Sequence, residues 1–321
     1  MKKQKIIKLL IALFLLATAV FVWNYNRYKI SEPMQDLEYK KTIIKASHNP
    51  FYKLENLRPL VGEEELLEFI KSNNENSQIY TPSSKNIKNG IFRANLHTHT
   101  LNSDGKVSVK FRMDYAQNYA EKNLKDGFMY IAITDHNTVL GAKDVIKVLQ
   151  KNPNKYKNIK IITGIEIYTK YKTEFSKKPV EIHVLTWCIN PYDKFLNKEF
   201  YKKNLKDKAN RGTHDREFTA VIKMMSKYGI PGIAHPLRYT VHLKDKKYKY
   251  IDTLFKEYSS LSQKPLFTEG HYQVYDKFRE RKYLGREYDK YKIFINKTAD
   301  KYNIIKTGST DAHGYTIFDW F

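Results

Sequence analysis

From residue 90 onward the chain alternates between short apolar runs and longer mixed stretches. The runs at 91–96, 129–134, 159–165, 180–186, 229–234, 265–268 and 303–307 each have the length of a strand. Continuous apolar runs suit parallel strands covered on both faces, whereas a half-exposed strand would alternate. Stretches at 111–126, 140–150, 197–227 and 272–301 contain leucine and lysine and suit outer helices. Alternating strands and helices predict an α/β protein, and seven strand units predict a TIM-like barrel. The spacer between Ile165 and Val180 is too short for a full crossover helix, so the barrel is expected to be irregular there.

Before residue 90 the pattern differs. Lys2, Lys3, Lys5 and Lys8 precede an apolar stretch at 9–23 that only Thr18 interrupts. Counted from Ile6 it is 18 residues long, the lower limit for a bilayer span. Residues 1–29 are therefore expected to be a signal anchor, a single transmembrane helix. Four lysines before it, against Arg27 and Lys29 after it, place the N-terminus in the cytoplasm and the rest outside the cell membrane. Ala17-Thr18-Ala19 resembles a cleavage site and carries the alternative, a secreted protein, although the apolar run continues to Trp23. Residues 30–90 read as a membrane-proximal spacer that partly packs on the main domain, with an amphipathic helix at 62–70 and a polar loop at 72–77.

Composition narrows the picture. Apolar residues make up 41% of the 321-residue chain, enough for a substantial core. The formal charge of +23 would attract anionic polymers, nucleic acid or lipid headgroups. The lysines are spread along the chain, which favours a solvated surface over one dense binding patch. The single cysteine, Cys188, excludes internal disulfides and multi-cysteine metal sites and is expected to be buried.

The candidate chemistry lies at the ends of the apolar runs. The first run leads into His97-Thr98-His99, then Ser103-Asp104-Gly105, and the second into Asp135-His136. The third ends in Glu166, the fourth contains His183, the fifth leads into His235, and the last into Asp311-Ala312-His313. Side chains alternate along a strand, so His97 and His99 point the same way and can hold one ion. A carboxylate after a buried apolar run, as at Glu166, calls for a cation or hydrogen-bonding partners. Each motif alone has a plain structural reading: a core histidine, a helix cap or a turn aspartate. Packing alone does not account for six strand ends that all present such residues. Imidazole and carboxylate without thiolate suit Zn²⁺, Mn²⁺ or Fe²⁺, and nine candidate ligands imply two or three divalent ions.

This ordered set resembles the motifs of the PHP (polymerase and histidinol phosphatase) family, from about residue 91 to the end of the chain. The resemblance implies a distorted (β/α)7 barrel at 91–321 with a trinuclear metal centre. By motif, His97, His99, Glu166 and Asp311 would hold one ion. Glu166 would bridge to a second, completed by His183 and His235, and Asp104, His136 and His313 would hold the third. Two departures stand out. Asn95 replaces an aspartate common in relatives, and Gly308-Ser309-Thr310-Asp311 carries one residue more than the usual Gly-Ser-Asp. Phe321 follows His313 by eight residues, and 317–321 are expected to cover the end of the barrel in place of a closing helix or to find another partner.

The expected function is metal-dependent hydrolysis of a phosphomonoester, a small phosphorylated molecule or nucleotide, by a hydroxide bridging two ions. Arg238 would clamp the phosphate and His271 would protonate the leaving group; the alternative for both is a plain loop residue. His48, His214 and His242 lie outside the motifs. The alternatives are a phosphodiesterase or nuclease acting on a phosphate-containing polymer, and a non-enzymatic membrane-anchored binding module. Nucleic acid is the weaker choice of partner.

Overall fold

The computed structural model describes residues 57–318 apart from 74–76, 153, 175–178, 202–215, 237, 239–248, 262–264 and 273–286. The expected anchor at 1–29, His48, His214 and His242 fall outside the described residues. Among the described residues no helix is long and apolar enough to cross a membrane.

The described end of the expected spacer is built into the domain. Helix α1 (Glu63–Ser72) has three glutamates in its first turn, which suits the helix dipole, and buries Leu66 and Ile70. A 3-10 turn at Ser77–Tyr80 and the short α2 (Ser84–Lys88) follow, with the Ser83 side chain capping α2. Ile79 and Tyr80 join Leu66 and Ile70 in one apolar cluster with Leu96, Trp187 and Phe267 of the sheet.

The next elements alternate as the sequence predicts: β1 (Ala94–Asn95), α3 (Val109–Asn123), β2 (Met129–Ile133), α4 (Leu140–Lys151) and β3 (Ile159–Tyr171). Then come β4 (Val180–Trp187), α5 (Lys194–Phe200), α6 (Phe218–Met225), β5 (Ile230–Ile233), α7 (Lys249–Ser259), β6 (Phe267–Tyr272), α8 (Glu287–Lys301) and β7 (Ile305–Ser309). The seven strands form one sheet in sequential order. Two further apolar clusters pack helices on its outside, one led by α3 and α4 and one by α6 and α7.

One strand departs from the expected direction. β4 is antiparallel to both β3 and β5, while the other neighbouring pairs are parallel. The link from Tyr171 to Val180 is too short for the crossover that parallel neighbours need, so the chain turns back on itself. The ring is joined beyond β1 and β7 by a parallel bridge between Thr98 and Ala312. There the His99 N–H donates to the Ala312 carbonyl at 2.9 Å, and the Ala312 N–H to the His97 carbonyl at 3.2 Å.

Both departures in the motifs meet at this seam. The Asn95 amide donates to Thr310 Oγ1 at 2.6 Å and to the Ile317 carbonyl at 2.8 Å, and its oxygen accepts the Thr310 N–H at 3.1 Å. An aspartate could accept but not donate, so asparagine suits the extra threonine. Cys188, expected buried, is half-buried with a positive φ of 61°.

Candidate metal centre

All nine expected ligands converge at the edge of the sheet where the parallel strands end. β4 runs the other way, so its early residues, His183 among them, reach the same edge. His97 and His99 follow β1 and are fully buried. The loop after them is pinned by Asp135, at the end of β2, which accepts the Thr100 N–H and the Thr100 and Ser103 hydroxyls, each at 2.7 Å. Arg112 of α3 donates to the carbonyls of His99 at 2.8 Å, Ala312 at 3.2 Å and Gly314 at 3.1 Å, and also to that of Thr316. One buried guanidinium thus ties the first ligand loop to the last.

Glu166 lies at the centre. Its backbone bridges to His136, and its side chain is fully buried. Oε2 lies 3.0 Å from His97 Nε2, 3.2 Å from His99 Nε2 and 2.8 Å from His136 Nδ1. Oε1 lies 2.8 Å from His183 Nδ1 and 3.1 Å from His235 Nε2. Asp311 Oδ1 completes the first set, 3.1 Å from His97 Nε2 and 3.0 Å from His99 Nε2. On the outer side Asp104, 45% exposed, approaches His313 at 3.2 Å, His136 at 3.5 Å and His99 Nδ1 at 3.8 Å.

These contacts fit cations better than they fit hydrogen bonds. The Nε2 atoms of His97 and His99 are 2.9 Å apart, and both lie about that far from the same two carboxylate oxygens. Ligands about 2.1 Å from a divalent ion are spaced about 3 Å from one another. His136 Nδ1 lies 2.8 Å from a carboxylate oxygen without making a hydrogen bond, and buried His99 Nδ1 makes none either. Among the described residues three groups of donors could hold an ion: His97, His99, Glu166 and Asp311; His99, Asp104, His136 and His313; and His136, Glu166 and His183. The first matches the expected set. The second is the expected set of Asp104, His136 and His313 with His99 added. In the third, His136 joins Glu166 and His183 where His235 was expected, and His235 Nε2 lies 3.1 Å from the Glu166 oxygen that also faces His183.

Charge is tightly coupled here. Burial disfavours the imidazolium at His99, yet Asp311 and Glu166 outweigh it and lift its pKa to about 10. His97 is raised well above its ordinary value against the same burial, by Asp311, Glu166 and Glu269. Burial opposes ionisation of Glu166 and Asp311, but the surrounding imidazoles hold both well below the usual range. At His235 burial prevails and lowers the pKa to about 4.

Two further expected residues fare differently. Arg238 is half-buried, its N–H donates to the His235 carbonyl at 3.0 Å, and its charge disfavours protonation of His183 and His235. His271 lies outside the three donor groups, after a bulge in β6, with its ring stacked 6.4 Å from that of Tyr80. Burial and then Lys292 and Lys306 lower its pKa to about 4. Sequence reasoning assigns no role to Asp135, Arg112, Glu181 and Glu269. Glu181 faces His183 Nε2 at 3.0 Å, which leaves Nδ1 as the nitrogen turned to Glu166. Glu269 carried a usable signal, a carboxylate directly after the apolar run at 265–268.

Comparison with known proteins gives three findings. The DNA polymerase/3'-5' exonuclease PolX of Bacillus subtilis (strain 168) is 28% identical over 107 residues, 30% of this chain and only 18% of that protein. A solved amidohydrolase from Chromobacterium violaceum, with bound sulfate and no metal, aligns at 13% identity and a TM-score of 0.46, over 69% of this chain and 88% of that one. A family model described as the PHP domain matches residues 95–303, well over half of the chain and all the ligand motifs except the last. The chain belongs to the PHP domain family.

Proposed function

We propose that the chain is a metal-dependent phosphoesterase that hydrolyses a phosphomonoester, a small phosphorylated molecule or nucleotide. The observation that carries this reading is Glu166, whose two oxygens face different imidazoles and so can serve adjacent ions. His97, His99, Glu166 and Asp311 would hold one ion, Glu166 with His183 and His235 or His136 a second, and Asp104, His136 and His313 a third. Bound there, divalent ions (Zn²⁺, Mn²⁺ or Fe²⁺) acidify water and withdraw charge from a phosphoryl oxygen. The protein's own part is to hold neutral imidazoles and ionised carboxylates in a buried array. Arg238, whose charge reaches His183 and His235, would bind phosphate oxygens. Asp104 is the most exposed of the ligands and marks the side from which substrate enters.

The decisive assay sets p-nitrophenyl phosphate against its bis-ester with Mn²⁺ or Zn²⁺ added. Turnover of the mono-ester that chelation abolishes is expected; preference for the bis-ester would move the assignment to a phosphodiesterase. That second reading draws on the +23 charge and on the exonuclease in the name of the B. subtilis relative. Turnover of neither ester would leave a binding module. We also propose that residues 1–29 anchor the domain outside the membrane, which protease protection of the catalytic domain in intact cells would refute.

A further inference from the structure

Glu269 belongs to none of the donor groups, yet it is 2% exposed beside them. A buried carboxylate needs hydrogen-bond donors, and this one has three from three different strand ends. His97 Nδ1 donates to Oε1 at 3.0 Å, the His235 backbone N–H donates to Oε2 at 2.7 Å, and the Ser309 hydroxyl donates to Oε1.

Each of these bonds has a consequence for metal binding. A carboxylate oxygen that accepts this bond keeps a proton on His97 Nδ1, so Nε2, facing His99, Glu166 and Asp311, is the nitrogen that would offer its lone pair to an ion on losing its own proton. His235 adopts a φ of 30°, a region that non-glycine residues avoid, and its N–H is held there by Glu269. The bulge after Glu269 shifts the β6 register where these bonds are made.

We propose that Glu269 is a positioning residue that sets the tautomer of His97 and the placement of His235, and so prepares two metal subsites at once. This rests on reading the cluster as a metal centre, and the test separates the two. Glu269→Gln keeps the shape but must turn an NH₂ towards either the His97 Nδ1–H or the His235 N–H. Co²⁺ is titrated into the metal-free full chain and the variant, with visible absorption as the readout and bound metal counted per chain. Affinity for Co²⁺ is expected to fall about 10–100-fold, with a changed Co²⁺ spectrum and unchanged circular dichroism of the metal-free protein. Equal affinity with an identical spectrum overturns the role of Glu269 while leaving the metal centre intact. A parent chain that binds no Co²⁺ overturns both. If Glu269→Gln does not fold, Ser309→Ala decides, since it removes only one donor to the same carboxylate. A smaller weakening with a spectral change supports the proposal, and an unchanged titration overturns it.

Discussion

Lys143 shows how one side chain ties stability to pH. It lies on α4 and is buried, with its ammonium bonded to the Asn197 amide oxygen and 4.6 Å from the centre of the Tyr201 ring. Burial is the main influence and, with Lys147 adding to it, lowers its pKa from 10.5 to about 7. Between those two values the unfolded chain binds a proton that the folded chain has released. Stability from this group therefore rises with pH from about 7 to about 10.5 and is flat below. Lys143→Met should remove that slope, which urea midpoints of parent and variant at pH 7 and pH 9 would show. At the cluster itself, Asp311 combines a ligand oxygen with a left-handed backbone, φ 51°. Asparagine tolerates that backbone, so Asp311→Asn should fold normally. Its loss of metal should exceed the about 10–100-fold that an outer hydrogen-bond partner costs, and phosphatase turnover should fall with it. Metal content and turnover are the two measurements, and full retention of both would contradict the assignment.

At the scale of elements, most of the frame is legible in the sequence, because an apolar run that ends in a donor marks both a strand and its functional end. β2 and β7 carry that signal at His136 and Asp311, whereas β3 runs on past Glu166 to Tyr171. The reversal of β4 is legible only as a short spacer, since direction depends on whether the connection can cross the sheet. Equally hidden is which oxygen of Glu166 faces which imidazole, because backbone register and side-chain torsion set it rather than spacing. The role of Asp135 is hidden because it pins the loop of another element. That pin depends on α4. A Cβ on Gly141 would lie 1.9 Å from Asp135 Oδ2 and 3.0 Å from Ile133 Cγ2, neither at the end of a long flexible chain. Gly141→Ala would ordinarily favour a helix by about 1 kcal/mol; here it should destabilise and push Asp135 off Thr100 and Ser103. The expected result is a lower urea midpoint together with weaker metal binding, although no ligand is changed.

Across the whole molecule the cluster is a concentration of buried charge that the fold alone does not neutralise. Glu166, Glu269 and Asp311 are all buried within it, and without a cation protons on His97 and His99 supply the balancing charge. An imidazole that ligates must be neutral, so each ion bound has to expel such protons. With His99 at about 10 in the ion-free protein, those protons are present at neutral pH, and their removal becomes easier as pH rises. Metal affinity should therefore increase with pH, and calorimetric titration in two buffers of different ionisation enthalpy should report proton release. The same coupling makes the ion part of the fold's stability. One site at 100 times its dissociation constant adds about 2.7 kcal/mol to the folded state. Chelation should accordingly lower the unfolding temperature, and adding back Zn²⁺ or Mn²⁺ should restore it in step with turnover. If stability and activity return at different metal concentrations, the subsites fill in sequence; if chelation moves neither, these residues do not form a metal centre.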